Sequence, residues 1–225
     1  MSWGCAALQT LIESFDEVMG TLDQTVSEMM AEYAQHLSCQ KGCASCCIDG
    51  FRIRYIEAVS VLKGFCELPP PEAQRVLARL EETAAGKAFE AEAKRNMQPL
   101  VYEANQRQQE NDLKQENDLK NTDLQAIQPC PLLNAEGGCG IYAHRPALCR
   151  AFGLILKAND TLGCCSLNFQ NIENLGGFKA LDMGPYYEVL DDLSLKLWQA
   201  QPLNTDPDPP RLSIRTYLKW LLGQT

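Results

Sequence analysis

Cys39, Cys43, Cys46 and Cys47 fall within nine consecutive positions. On a helix, steps of four, seven and eight residues share one face. In an extended segment Cys46 and Cys47 would point to opposite faces. Gly42 and Gly50 weaken a continuous helix, so the spacing predicts a turn entering a helix. Either geometry crowds thiolates, which cannot all ionise side by side without a cation. A soft metal removes that repulsion, and four sulfurs in a tetrahedron suit zinc or an iron–sulfur cluster. The competing reading, a set of small buried hydrophobes, is the weaker one for so dense a run.

A second set of cysteines follows in residues 130–165. Cys130-Pro131-Leu132-Leu133 and Gly138-Cys139-Gly140-Ile141-Tyr142 flank a turn-rich centre, which predicts a β-hairpin with Cys130 and Cys139 at matching positions. Glycines around Cys139 let the backbone approach a metal or sulfide and free its N–H groups to donate. Pro146 suits the first position of a short helix carrying Cys149 inward. Arg145 and Arg150 flank Cys149 and are candidate cofactor-binding residues. Four thiolates leave a charge of −2 around Zn²⁺ and around a [4Fe–4S]²⁺ core alike, so guanidinium groups favour either without choosing between them. The alternative for each arginine is a surface ion pair of little worth. Cys164 and Cys165 form a further adjacent pair; one of them completes the set, and Cys165 is favoured. His36 and His144 lie beside or within the two segments and could replace a sulfur, with a hydrogen-bonding or surface role the stronger reading.

The elements that must position these residues are mainly helical. Leu8, Leu11, Phe15, Val18, Leu22, Val26, Met29, Tyr33 and Leu37 recur at three- and four-residue steps, predicting a long helix over residues 6–37. That stripe packs on the rest of the chain or forms a helix-mediated homodimer. Phe51-Arg52-Ile53-Arg54 alternates as a short strand does. Helical patterning returns over 56–66, and Pro71-Glu72 opens another helix running past Leu80. QENDLK occurs twice in residues 109–120, which reads as an exposed helix end or connector with no assigned function. Gly176-Gly177 predicts a turn, residues 186–200 a helix, and Pro202 to Pro210 a linker to a last helix ending near Trp220. The fold expected is mainly α with a small β-hairpin: a single cysteine-cluster, metal-centred domain with flanking helices. Its parts are an N-terminal amphipathic helix over 1–37, a metal-binding domain over 38–170 with a helical insert at about 67–128, and a C-terminal helical segment over 171–225.

Three stretches together resemble the YkgJ-type cysteine-cluster family, known by its CxxCxxCC label and described as a zinc- or iron-chelating domain. They are Cys39 to Cys47, Cys130-Pro131-Leu132-Leu133 through Tyr142, and Arg145-Pro146 to Phe152. The spacer between Cys39 and Cys43 is three residues where the label has two. The resemblance implies metal chelation by Cys39, Cys43, Cys46, Cys47, Cys130, Cys139, Cys149 and one of Cys164 or Cys165, as two four-ligand sites or one cluster with neighbours in reserve. Cys5 and Cys66 lie outside the motif; Cys66 is expected in the core of its helix and Cys5 to be incidental. Larger relatives include flagellin lysine methylases that use S-adenosylmethionine. This chain is short for that role and has no G-x-G-x-x-G loop after a strand, so a methyltransferase ranks below metal binding.

Bulk properties agree with an unexported metal protein. With 225 residues and 45% hydrophobic content, the chain can form a core without disulfides. Eleven cysteines without a basic, apolar leader point to the reducing cytoplasm and to metal before disulfide. A net charge of −9 argues against nucleic acid and anionic membranes as partners. No small-molecule substrate is indicated, no catalytic set stands out, and a protein partner remains open beside the homodimer. The expected activities are electron transfer or redox sensing for an iron–sulfur cluster, or support of an interaction surface for zinc.

Overall fold

The computed structural model describes residues 5–39, 43–81, 129–158, 161–172, 175–201 and 206–223. Its fold is mainly helical with small strand elements. The N-terminal stripe forms α1 (Cys5–Glu32), followed by one 3-10 turn at Ala34–His36, so the helix stops short of Leu37. Its buried face is Leu11, Phe15, Met19, Leu22, Val26, Met29 and Tyr33. Met19 takes the inward place expected of Val18, because a four-residue step from Phe15 stays on the face. That face packs on helices of the same chain, which is where the stripe goes. Burying a leucine such as Leu22 contributes about 1.5–3 kcal/mol.

Strand β1 (Arg52–Ile53) leads into α2 (Tyr55–Cys66). Glu57 caps the start of α2: its carboxylate accepts the Arg54 N–H at 2.8 Å. Helix α3 (Pro70–Glu81) opens on proline, where the missing N–H costs nothing, and buries Val76 and Leu80. The continuation of this helix and the QENDLK duplication lie outside the described residues. Helix α4 (Ala147–Ala151) follows Pro146. Strands β2 (Leu156–Ala158) and β3 (Thr161–Gly163) form an antiparallel hairpin, and β4 (Leu181–Asp182) joins β2 in parallel. A 3-10 turn spans Leu175–Gly177.

Helix α5 (Gly184–Gln199) packs on both α1 and α2. Strand β5 (Leu212–Ser213) pairs antiparallel with β1, and Ser213 then caps α6 (Ile214–Leu221) by accepting the Thr216 N–H at 3.3 Å. One hydrophobic core draws residues from the N-terminal helix, the middle of the chain and the C-terminal helices together. Among the described residues, no helix is long and apolar enough to cross a membrane.

Candidate metal centre

Over its described residues 43–50, the first cysteine segment turns and then pairs, and does not enter a helix. The Cys47 N–H donates to the Ala44 carbonyl at 2.9 Å, Ile48 bridges Pro129 in antiparallel sense, and the Cys130 N–H donates to the Cys47 carbonyl at 2.9 Å. Pairing with the second segment satisfies the backbone groups that a helix would otherwise bond internally. The pairing is clamped from outside. Arg215 on α6 donates from Nε to Asp49 Oδ2 at 3.0 Å, from Nη2 to the Pro129 carbonyl at 3.3 Å, and to the Arg79 carbonyl.

The second segment forms a tight hairpin, in a register other than the expected one. Cys139 lies opposite Leu133, with Asn134 N–H to Gly138 O and Gly140 N–H to Leu132 O both at 2.8 Å. Asn134 Oδ1 accepts the N–H groups of Glu136 and Gly138, and Gly137 sits at φ 77, where glycine carries no steric cost. This Asx turn shortens the loop, so Cys130 falls outside the hairpin and pairs with Cys47 instead. The glycines therefore serve the turn: a side chain at Gly140 would meet the Leu132 carbonyl at 3.2 Å.

Cys149 rides on α4. The Ala147 N–H at its start donates to the second oxygen of Glu57 at 2.8 Å, so one buried carboxylate caps two helices. Burial pushes the Glu57 carboxyl above its ordinary value, and the N–H groups it accepts pull it back. The two arginines part company. Arg145 lies with its guanidinium 3.6 Å from the Tyr142 ring centre and donates to the Cys149 carbonyl at 3.3 Å; its charge favours the thiolates of Cys139 and Cys149. Arg150 pairs with Asp23 on α1 and donates to the carbonyls of Arg145, at 2.7 Å, and Ala143. It joins α4 to α1, a role that a charge argument from sequence does not reach.

The β2–β3 hairpin delivers Cys164 and Cys165 immediately after Gly163. Cys165 is buried and within hydrogen-bonding contact of Cys39, which draws the Cys165 thiol down to about 7 and raises that of Cys39. Cys164 packs half-buried against the core, its thiol raised by burial. Cys39 also accepts an N–H from the Asn168 amide, Nδ2 to Sγ 3.2 Å.

The sulfurs fall into two neighbouring groups. In one, Cys39 feels Cys165 and Cys43, Cys165 feels Cys46 and Cys43, and a sulfur–sulfur contact with Cys47 holds the Cys46 thiol well above its usual value. In the other, Cys130 and Cys149 are each pushed up to about 12, first by burial; the charges of Cys149 and Cys139 add to it at Cys130, and those of Cys46, Glu57 and Cys139 at Cys149. Cys46 faces both groups, since it feels the charge of Cys39 and acts on Cys165 and Cys149. Backbone N–H groups two residues on point at three of the sulfurs: Leu132 to Cys130, Ile141 to Cys139 and Leu167 to Cys165. Such N–H···S bonds favour the thiolate, the form that ligates metal, so the donor set suits a soft cation. Among the described residues, no group of three or more histidine, cysteine or acidic side chains is gathered tightly enough to hold an ion as it stands.

The remaining candidates lie elsewhere. His36 stacks on Phe169 with ring centres 5.8 Å apart, and His144 bonds Ser60 at 3.3 Å and Glu67 at 2.9 Å. Cys66 is exposed, contrary to the core position expected, because it ends α2 on the side away from Val61 and Phe65. The Cys5 side chain lies outside the described residues. Asn168, Glu57 and Arg215 were not singled out by motif; their signal is being polar where the neighbouring pattern is apolar, as with Glu57 between Ile56 and Ala58. Compared with known proteins, the chain matches no family model, no curated protein and no solved structure.

Proposed function

We propose that this chain binds a metal through thiolates of its three cysteine segments, and that the centre is an iron–sulfur cluster used in electron transfer or redox sensing. One observation carries the reading: eight cysteines from three segments of the chain adjoin in two groups, with N–H donors at the sulfurs of Cys39, Cys130, Cys139 and Cys165. The ligands are Cys39, Cys43, Cys46, Cys47 and Cys165 on one side, and Cys130, Cys139 and Cys149 on the other. Arg145 offsets the negative charge of the second group. When bound, the cluster supplies one-electron transfer. Loading must draw the sulfurs closer than they stand, so metal binding is coupled to tightening of the loops and to stability. The YkgJ-type motifs agree with this reading.

Zinc is the second reading, favoured by the burial that leads the shifts of Cys130 and Cys149, as suits a closed structural site. Anaerobic purification followed by a visible spectrum and iron, sulfide and zinc analysis decides between them. Absorption near ~400 nm with iron and sulfide is the expected result. Colourless protein with stoichiometric zinc replaces the cluster by zinc, and protein that takes up neither overturns metal binding.

A further inference from the structure

Three of the sulfurs receive their N–H from the backbone two residues on. Cys39 receives one from a side chain that lies 129 positions away, Asn168. Asn168 is 3% exposed, and every polar atom of its amide is committed. Oδ1 accepts the Ser38 N–H at 2.8 Å, and Nδ2 donates to the Gly153 carbonyl at 2.7 Å and to Cys39 Sγ at 3.2 Å. The pocket around that contact is closed. Gly153 stands at φ 118, and a side chain there would lie 3.3 Å from Cys39 Sγ and 3.2 Å from Asn168 Nδ2. The segment is held from its other end too, where the Phe169 N–H donates to the His36 carbonyl at 2.7 Å with Phe169 at φ 52. An uncharged hydrophobe in this place would leave the Ser38 N–H and the Gly153 carbonyl without their partner. An amide wedged between a sulfur, a carbonyl and the N–H preceding the cysteine fixes where that sulfur points.

We propose that Asn168 is the positioning residue of the centre: it orients Cys39 and donates a hydrogen bond to its sulfur as a metal ligand. The inference rests on the metal-binding reading above. A hydrogen bond to a ligand sulfur stabilises the charged thiolate and tunes the metal, and loss of such an outer partner costs 10–100-fold in metal affinity.

The test uses the full chain, stripped of metal and titrated with Co²⁺ alone, with Zn²⁺ in competition. Asn168→Asp keeps the acceptor for the Ser38 N–H and replaces the donor to Cys39 by an oxygen. It should bind Co²⁺ at least ~10-fold more weakly, with a displaced thiolate-to-cobalt charge-transfer band. Tyr33→Phe removes the bond from the Lys179 N–H to the Tyr33 hydroxyl in the same region without touching a sulfur, and should change neither readout. An aspartate variant with wild-type affinity and band overturns the inference, as does an equal loss in Tyr33→Phe. If Asn168→Asp does not fold, Asn168→Ser carries the same comparison. Failure of both to fold while Tyr33→Phe folds assigns Asn168 to structure alone and overturns it. Wild-type protein that binds neither Co²⁺ nor Zn²⁺ and carries no iron fails the metal reading itself, a result distinct from a normal wild type with an indifferent variant.

Discussion

The raised thiols in the two cysteine groups owe their shifts to different forces. At Cys130, Cys139 and Cys149 burial is the leading cause. At Cys39 and Cys46 the leading cause is a neighbouring sulfur, Cys165 in one case and Cys47 in the other. The first situation comes from the fold, through a hairpin and a capped helix pressed into the core. The second comes from the cysteines' own crowding on loops, fixed by a few polar side chains. One group is therefore preformed by packing, and the other depends on crosslinks that can be cut one at a time. A metal relieves both, but it replaces a proton lodged in a dry pocket in one group and a sulfur–sulfur repulsion in the other.

The crosslink shared by both groups should show the largest effect. Arg215 is the partner of Asp49, two residues after Cys47, and of the carbonyl before Cys130. The side chains of Arg215 and Asp49 are only 14% and 9% exposed. Arg215→Met leaves a nearly buried carboxylate without its cation, at a cost of about 3–5 kcal/mol. Urea unfolding should show that loss, and metal uptake should weaken in both groups. Replacing Asp49 by Leu in the same chain should return much of the stability, since the uncompensated charge is then gone. A variant that damages only one group would break the picture of a common clamp.

Glu57 tests the core-built group alone. Its two oxygens accept the N–H groups of Arg54 and Ala147, both at 2.8 Å. Glu57→Gln turns one acceptor into a donor facing an N–H, which costs about 1–3 kcal/mol in a buried site. Co²⁺ titration should show weakened binding where Cys149 participates, with the Cys39 and Cys165 environment unchanged. Equal loss in both groups would merge them into one cooperative unit.

These crosslinks also mark where sequence reading stopped. Helices α1, α2, α3 and α5 are legible because apolar residues recur at helical steps over several turns and because Pro71-Glu72 marks an opening, one residue after the Pro70 on which α3 starts. The three-stranded sheet is not, since strands of two or three residues such as Leu181–Asp182 give periodicity nothing to work on. The cysteine segments stand out by residue type, yet their register does not. Whether Cys130 faces Cys139 or Cys47 turns on the Asn134 side chain closing an Asx turn, a local choice that leaves the hydrophobic pattern unaltered. Asn168 carries no spacing signal at all, because its partners Ser38, Cys39 and Gly153 are brought to it only by the finished fold.

Alkaline titration separates the groups by a smaller effect. Cys130 and Cys149 lose their protons at about 12 in the folded chain, against 9.0 for an exposed thiol. Above pH 9 the unfolded chain releases protons that the metal-free native state still holds, so stability falls as pH rises. The contribution is fully present below pH 9 and lost between about 9 and 12, on the order of 1 kcal/mol for the pair at pH 9 itself. Metal-loaded protein should not follow this curve, because its thiolates are already deprotonated, and metal affinity should rise with pH as binding releases fewer protons. Thermal unfolding of both forms from pH 7 to 10 checks the sign. A metal-free protein that gains stability over that range would remove burial as the force on these two thiols.

The smallest expected effect is the sharpest for the loop-borne group. Cys164 and Cys165 are adjacent, follow the same strand and have the same chemistry, yet only Cys165 is within hydrogen-bonding contact of Cys39. Cys164 meets the core, and burial alone raises its thiol. Cys164→Ser should therefore change stability by no more than about 0.5 kcal/mol and leave metal stoichiometry intact. Cys165→Ser, one position on, should lose metal from the group containing Cys39. The pair controls for local backbone effects, since both substitutions sit just after Gly163 and remove one sulfur each. If the two variants behaved alike, sulfur orientation would not matter, and the loop group would be a pool of interchangeable thiols with no defined ligand set.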